Sequence, residues 1–152
     1  MDLLEAKNTA LSFLKISNKE IMGWFRTNMT VESKSDQSPV TIADRKAEEI
    51  LRKKISKAYP NHGIIGEEFG EEGSQSEWVW TIDPIDGTRG YVSGTPTWGT
   101  LIALNDGQEP IFGMIDQPYI GERFVGGLGM AFMERNGVKT SLAARKTRHL
   151  SQ

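Results

Sequence analysis

The sequence contains no cysteine, and this absence excludes disulfide bonds, thiolate zinc sites and a cysteine nucleophile. The absence is also compatible with a reducing compartment. Residues 1–29 lack a basic start and a continuous apolar stretch, because charged side chains interrupt them at Glu5, Lys7, Lys15, Lys19 and Glu20. They are therefore typical neither of a secretion signal nor of a membrane span. We expect a cytoplasmic protein without a membrane partner.

The sequence also lacks a large excess of charge of one sign. The chain of 152 residues has 18 basic and 20 acidic side chains, which leaves a formal net charge of −2. No broad basic surface is expected, so a nucleic acid polymer is excluded as a partner. The nucleophile elbow, the P-loop and the dinucleotide-binding glycine motif do not occur. His62 and His149 lie in a loop and a tail without a motif partner, as solvated histidines do.

Two segments have the periodicity of amphipathic helices. Between residues 3 and 28 the apolar residues of one face are Leu4, Leu11, Leu14, Ile21 and Phe25. Residues 30–40 are polar and contain Pro39, which predicts a loop. Thr41 and Asp44 then have capping-box spacing. The apolar pattern continues to Ala58, and Pro60 ends this second helix.

After residue 62 the pattern changes to short apolar and β-branched runs separated by turn residues. Strands are predicted at 64–65, 78–82, 98–104, 111–116 and 122–126, followed by a hairpin around Asn136-Gly137. Residues 70–77 are predicted to be a solvated loop. The outline is an α+β fold in which two long helices pack on a largely antiparallel sheet. This domain would cover residues 1–142, and 143–152 would be a frayed tail or the truncated start of the next element.

Three carboxylates follow the predicted strands. Glu67 comes after the 64–65 run, and Asp83 and Asp86 come after the 78–82 run. Loops at strand ends often carry active residues. Pro84 stiffens the turn between the two aspartates, so both can point at one small volume. The carbonyl of Ile85 lies between them and is a plausible neutral ligand.

Oxygen ligands of this kind suit Mg²⁺. Two ions about 3.5–4 Å apart can stabilise the attacking and leaving oxygens of an in-line displacement. The amides of Gly87 and Thr88, if they begin a helical turn, could hold a phosphate oxygen. The Thr88 hydroxyl could orient the attacking water through Glu67. The pattern therefore predicts metal-dependent hydrolysis of a phosphate ester.

The same residues have plainer interpretations. An Asp-Pro-x-Asp-Gly string is also typical of an ordinary turn, and spacing alone favours neither interpretation. Asp44 satisfies the start of the second helix, and local spacing favours this structural role. A calcium loop of the EF-hand type is not predicted, because the twelfth position counted from Asp83 is Gly94 rather than glutamate.

Three separated strings resemble a known family. They are Gly66-Glu67-Glu68, the segment 80–88, and the segment 40–44 preceded by Lys34. In this order they resemble the inositol monophosphatase family of metal-dependent, lithium-sensitive phosphatases, from the first helix to about Lys139. The segments 94–104 and 113–123 further resemble the bacterial histidinol-phosphatase branch, which acts in histidine biosynthesis.

This resemblance implies the N-terminal half of the sugar-phosphatase fold and a set of metal ligands. Glu67, Asp83 and the Ile85 carbonyl would hold the first Mg²⁺, and Asp83 and Asp86 would hold the second. A third ion could bind loosely in the complete enzyme. Mn²⁺ could replace Mg²⁺, and Li⁺ would inhibit.

The resemblance also implies roles around these ligands. The amides of Gly87 and Thr88 would bind phosphate, and Glu67 with Thr88 would activate the nucleophilic water. Asp44 would support that water or the third metal. Lys34 would lie on a loop that closes near the site, with a solvated loop charge as the alternative.

One part of the family pattern is missing from this chain. Family members are typically much longer, and their second half supplies another aspartate in a Trp-Asp-x-Ala-like motif and most substrate contacts. None of the four tryptophans here is followed by aspartate. The chain is therefore expected to be the N-terminal domain without its C-terminal domain. A large apolar face should be exposed where that domain would pack.

The implied reaction of the complete enzyme is the hydrolysis of histidinol phosphate to histidinol and phosphate. The alternatives are inositol monophosphatase and 3′(2′),5′-bisphosphate nucleotidase activity, each on a small-molecule phosphate ester. A further alternative is a non-catalytic fragment that binds metal weakly or pairs with another subunit. The complete protein is expected to form a homodimer.

Overall fold

The computed structural model describes residues 2–35 and 39–145, which form three helices and ten strands. In chain order they are α1 (Leu3–Trp24), β1 (Val31–Ser33), β2 (Pro39–Thr41), α2 (Ile42–Ala58), β3 (Gly63–Gly66), β4 (Gly70–Glu72), β5 (Val79–Asp86), α3 (Thr88–Val92), β6 (Gly99–Asn105), β7 (Pro110–Gln117), β8 (Glu122–Gly127), β9 (Met130–Arg135) and β10 (Val138–Ser141).

Eight of these strands form one sheet in the order β10-β9-β8-β7-β6-β5-β3-β4. All neighbouring pairs are antiparallel except β3 and β5, which are parallel. The strand between them in sequence, β4, turns back and pairs with β3 at the edge of the sheet. From β6 to β10 each strand pairs with the next, because short connections favour antiparallel neighbours. The predicted α+β class with a largely antiparallel sheet is confirmed.

Both long helices pack on the same face of this sheet, which we call the inner face. The sheet residues in this core are Ile64, Trp80, Ile82, Ile102, Leu104, Phe112, Met114 and Val125, and the helix residues are Ala6, Ala10, Phe13, Leu14, Leu51 and Ile55. The strands contribute every second residue and the helices contribute residues three or four apart. The main core therefore lies between the helices and the inner face.

A second, smaller core holds the end of β5 against the end of α1. Phe25, Ile85, Tyr91 and Trp98 are its large buried side chains. The Tyr91 hydroxyl donates a 2.6 Å hydrogen bond to the carbonyl of Ile21 in α1. This core anchors the short helix α3, which follows the predicted metal-binding string.

The first helix begins as predicted but ends earlier. Asp2 caps its start by accepting a 2.9 Å hydrogen bond from the amide of Leu4. The helix ends at Trp24 instead of about residue 28, because Phe25 is extended and Arg26 has a φ of +60°. The predicted core position of Leu4 is wrong, since its side chain is 53% exposed and the buried face is centred on positions 6, 10, 14 and 21.

Two segments predicted to be loops contain short strands. Residues 31–33 and 39–41 pair with each other inside the predicted 30–40 loop. Residues 70–72 pair with β3 inside the predicted 70–77 loop. Most of these residues are polar or exposed, so the strands depend on backbone pairing rather than on side-chain burial. Residues 143–145 form no helix or strand, and the remainder of the predicted tail lies outside the described residues.

The opposite face of the sheet, which we call the outer face, is not covered by a helix in the part of the chain that the structure describes. The pairing register places Asp83, Leu101, Ile115 and Phe124 in one row across it. Ile115 is 48% exposed, and an apolar cavity of about 600 Å³ lies along this row. The expected exposed apolar face is therefore present. No described helix is long and apolar enough to cross a membrane.

Candidate metal and phosphate site

The Asp83–Asp86 segment forms the end of β5. The prediction that the strand ends before Asp83 is wrong, because β5 continues to Asp86. Each of the two aspartates pairs with one residue of β6. Pro84 and Ile85, which lie between the aspartates, are both opposite the single residue Thr100. This arrangement is a β-bulge, which redirects side chains and often occurs beside active sites. Proline is tolerated there because a bulge residue need not donate to the strand ladder.

Local hydrogen bonds fix the conformation of the bulge. Asp83 Oδ1 accepts the amide of Ile85 at 3.1 Å. The Ile85 carbonyl, predicted as a neutral metal ligand, accepts the Thr88 hydroxyl at 3.1 Å. The Ile85 side chain is buried and Asp86 is exposed. The bulge is therefore anchored in the small core, while its second carboxylate faces solvent.

Gly87 lets the chain turn from β5 into α3. Its φ of +87° is left-handed, and a Cβ there would lie 2.7 Å from the Thr97 carbonyl oxygen and 3.3 Å from Trp98 Cα. Only glycine satisfies both conditions without strain. The predicted helical turn begins at Thr88. The first amides of a helix have no acceptor within the helix. The Thr88 amide, which is predicted to bind phosphate, is at the first position of α3 and is one of these amides.

Glu67 lies in the tight turn between β3 and β4, and its carboxyl meets that of Asp83. Burial, a hydrogen bond with Glu67 and the charges of Glu67 and Asp86 raise the pKa of Asp83 to about 8. The structure thus brings together the two side chains predicted for the first metal. Crowded carboxyls need a proton or a cation between them, so this environment favours a bound cation.

Lys34 reaches the same carboxyls from the segment after β1. Its Nζ lies 2.8 Å from Glu67 Oε1 and 2.7 Å from Glu68 Oε1. Burial disfavours the charged ammonium, but the hydrogen bonds and charges of both glutamates outweigh it and raise the pKa of Lys34 above its usual range. The alternative of a solvated loop charge is wrong. A role of Lys34 in substrate binding remains a prediction.

Asp44 caps α2 and also lies beside Thr88. Its Oδ2 accepts the amide and the hydroxyl of Thr41 at 2.7 and 2.6 Å, which completes the predicted capping box. Its Oδ1 lies 3.4 Å from the Thr88 hydroxyl. Burial raises the pKa of Asp44, against the hydrogen bonds from Thr41. Among the described residues the Thr88 hydroxyl contacts Ile85 and Asp44 directly, so a link to Glu67 would need a water.

The oxygen-only donor set is of the type that Mg²⁺ and Mn²⁺ prefer. Within residues 2–35 and 39–145, however, no three acidic, histidine or cysteine side chains are placed together so that they could hold an ion. Lys34 contacts one Glu67 oxygen, and Glu67 lies close enough to Asp83 to raise the pKa of Asp83, so both carboxyls face existing neighbours. The ligand set of Glu67, Asp83, Asp86 and the Ile85 carbonyl therefore remains a prediction.

Sequence reasoning missed two buried polar side chains behind the site. Glu48 of α2 is fully buried and accepts the amide of Glu68 at 2.7 Å, next to Glu67. Thr100 of β6 is also fully buried and donates to the carbonyl of Pro84 at 2.8 Å. Each occupies a position where the helical or strand period predicts an apolar residue. That mismatch is the sequence signal that could have identified them.

His62 is not the solvated side chain that was predicted. Its Nδ1 accepts a 3.1 Å hydrogen bond from Trp80 Nε1, and its ring stacks on Tyr59 with centroids 4.8 Å apart. It lies near the start of β5, at the opposite end of that strand from Asp86. His62 therefore belongs to the packing of the sheet, and His149 lies outside the described residues.

Comparison with known proteins gives extensive matches. The model of the inositol monophosphatase family matches residues 2–151. The chain is 40% identical to the histidinol-phosphatase of Chlorobaculum parvum over 140 residues, which are 91% of this chain and 54% of that protein. It is 42% identical over 128 residues to the chloroplastic bifunctional phosphatase IMPL2 of Arabidopsis thaliana, which covers 83% of this chain and 36% of that protein.

The fold is also similar to that of a solved relative. The inositol monophosphatase from Anabaena superposes with a TM-score of 0.81 at 27% identity, covering 100% of this chain and 54% of that one. The chain therefore spans between 36% and 54% of the length of these relatives. Motifs, sequence identity and fold lead to the same result: this chain belongs to the inositol monophosphatase family.

Proposed function

We propose that this chain provides the metal- and phosphate-binding half of a magnesium-dependent phosphomonoester hydrolase. The observation that carries the proposal is the proximity of the Glu67 and Asp83 carboxyls, with Asp83 five residues before Thr88, the first residue of α3. Oxygen ligands for a cation and helix-start amides for a phosphate are thereby combined in one short segment. Membership of a phosphatase family supports the same reaction class.

Each group has a separate task in the proposed reaction. The four predicted ligands would hold Mg²⁺, which would supply Lewis-acid stabilisation of the phosphate charge. The amides of Gly87 and Thr88 would bind a phosphate oxygen. The Thr88 hydroxyl would orient the attacking water, with Glu67 as its proton acceptor. Asp44 lies beside this hydroxyl and would hold it or the water in place.

We propose histidinol phosphate as the substrate. The segments 94–104 and 113–123 resemble the histidinol-phosphatase branch, and one similar protein carries that name. The alternatives are an inositol monophosphate and a 3′(2′),5′-bisphosphate nucleotide, and the similar Anabaena protein is named an inositol monophosphatase. Mn²⁺ substitution, Li⁺ inhibition, a homodimer of the complete protein and a cytoplasmic location remain predictions.

The test is phosphate release from histidinol phosphate, inositol 1-phosphate and adenosine 3′,5′-bisphosphate in the presence of Mg²⁺. It is run on this chain alone and on this chain joined to the second half of the Chlorobaculum parvum relative. Asp83→Asn should abolish release while the protein stays folded. Asp106→Asn is the matched control, because Asp106 is a half-exposed turn aspartate whose hydrogen bonds in the described part of the chain come from the backbone amides of the turn. No release by the joined protein from any substrate would refute the proposal.

The exposed outer face favours a second candidate, in which this chain alone is non-catalytic and pairs with another subunit. The apolar row of Leu101, Ile115 and Phe124 is open in the described part of the chain. Calorimetry with Mg²⁺ and Mn²⁺ and sedimentation of the 152-residue chain distinguish the candidates. Weak metal binding with self-association supports the second candidate. Tight binding of two ions with turnover by this chain rejects it.

A further inference from the structure

Thr100 of β6 lies opposite the β5 bulge and is fully buried. Its hydroxyl donates a 2.8 Å hydrogen bond to the carbonyl of Pro84. A bulge sets two residues against one, so the regular ladder is interrupted at this point. A buried carbonyl without a partner costs free energy, and here a side-chain hydroxyl supplies the partner. Thr100 therefore contacts the backbone between the two predicted aspartate ligands.

The peptide that Thr100 contacts also holds the carboxylate of Asp83. The Pro84 carbonyl and the Ile85 amide belong to one planar peptide unit. The carbonyl end accepts the Thr100 hydroxyl, and the amide end donates to Asp83 Oδ1 at 3.1 Å. Because the unit is rigid, a rotation that releases one end also misdirects the other. The orientation of Asp83 is thereby linked to a residue on the next strand.

A partly buried polar network of Asn18, Asp116 and Arg123 lies beside Thr100. Asn18 Oδ1 lies 3.4 Å from the Thr100 hydroxyl, and the Asn18 side-chain amide donates to Asp116. Arg123 donates to both oxygens of Asp116 at 3.0 and 3.1 Å. Thr100, Asp116 and Arg123 are direct neighbours across three strands. The hydroxyl has one proton, so the shorter bond to Pro84 is the principal one and Asn18 makes the secondary contact.

We infer that Thr100, held by Asn18, Asp116 and Arg123, is a positioning residue that orients the Pro84–Ile85 peptide and through it the Asp83 carboxylate. None of these four side chains belongs to the predicted ligand set. Partners that orient metal ligands affect metal affinity strongly, although they do not touch the ion. The inference rests on the proposed function for the cation at Asp83, while the peptide contact itself stands on the geometry.

The first experiment measures amide hydrogen exchange by NMR in the 152-residue chain. In Thr100→Val the amide of Ile85 should exchange about tenfold faster relative to that of Ile82, because the peptide loses its anchor. Thr100→Ser should restore the wild-type ratio. Ile102→Val is the matched control, since Ile102 is buried on the same strand and the same face. Ile102→Val should change the exchange rates of the Ile85 and Ile82 amides together and leave their ratio unchanged.

The second experiment measures Mn²⁺ binding to the same variants by calorimetry. Thr100→Val should weaken binding by about 10–100-fold, whereas Thr100→Ser and Ile102→Val should bind like the wild type. Asp116→Asn keeps the shape but weakens the Arg123 pair, and it should give an intermediate loss. An unchanged Ile85 exchange ratio in Thr100→Val, or failure of the serine variant to restore it, would overturn the inference. A wild-type chain that binds no Mn²⁺ would count against the metal site of this chain, and the exchange ratio would still decide the role of Thr100.

Discussion

Replacing Glu48 by glutamine should loosen the turn that carries Glu67. One oxygen of the Glu48 carboxylate accepts the amide of Glu68 at 2.7 Å. The other accepts the amide of Phe69 at 3.1 Å and Nε of Arg52 at 2.8 Å. Glutamine preserves the shape of the side chain but replaces one acceptor oxygen by an NH₂ group. That group then faces a hydrogen-bond donor inside the protein.

The size of the effect follows from these contacts. A hydrogen bond to a charged group contributes about 1.5–3 kcal/mol, and Glu48→Gln loses at least one. The Arg52 side chain is 14% exposed, so it can recover part of its solvation. We expect the free energy of unfolding to fall by about 2 kcal/mol in Glu48→Gln. Glu48→Ala should cost about 3–4 kcal/mol, because it removes all three bonds and leaves Arg52 with the Gly70 carbonyl and a 3.7 Å ion pair to the exposed Glu72.

Urea unfolding followed by tryptophan fluorescence measures this loss. Glu49→Gln is the matched control, because Glu49 is the exposed neighbour on the same helix and should change stability by less than about 0.5 kcal/mol. A Cβ at Gly66 would collide with the Glu48 carboxylate. Gly66→Ala should therefore cost less in the Glu48→Ala background than in the wild type. A Glu48→Gln loss as small as that of the control would refute the reasoning.

Two further predictions concern Gly87 and His62. Gly87→Ala should lower the free energy of unfolding by about 2–4 kcal/mol, because it adds a clash with the Thr97 carbonyl to the cost of a positive φ. Gly129→Ala is the control, because Gly129 also has a positive φ but its added Cβ would meet open space. An equal loss of stability in the two variants, measured by thermal unfolding, would contradict this account. Burial lowers the pKa of His62 below 6.5. The neutral ring is also the form that accepts the hydrogen bond from Trp80 Nε1, because Nδ1 must then be unprotonated. The neutral His62 ring therefore contributes fully to the free energy of unfolding above pH 6.5, and this contribution is lost as the pH falls towards the folded-state pKa of His62. Urea titrations between pH 5 and 8 should show this slope, and an unchanged slope in His62→Gln would disprove the assignment.

Local pattern accounts for most of the secondary structure. The capping pair Thr41 and Asp44 predicts the start of α2 correctly, because a helix cap involves neighbours in sequence. The hairpin at Asn136-Gly137 follows from residues that tolerate positive φ. The errors occur where a neighbouring strand, rather than the local pattern, stabilises an element. Strands β1 and β4 are examples.

Within the site, local sequence is sufficient to predict the order and the chemical type of the residues. Asp83, Pro84 and Gly87 restrict a short stretch of backbone, and their effects act over a few residues only. Glu67 could be proposed as a further ligand from its position after a strand, but its contact with Asp83 depends on the tertiary structure. Local spacing also left Asp44 between a helix cap and a functional carboxylate. The structure shows the cap and places Asp44 Oδ1 beside the Thr88 hydroxyl, and the functional role remains a prediction.

Contacts between groups that are distant in sequence depend instead on how the chain folds around this site. Lys34 contacts Glu67 across 33 positions of sequence, and Thr100 reaches the Pro84 carbonyl across 16. Glu48 holds the following turn across 20 positions. Such contacts depend on strand register and on the packing of α2 against the sheet. The hydrophobic period of one sequence shows which face of an element is buried, but not which residue lies opposite it.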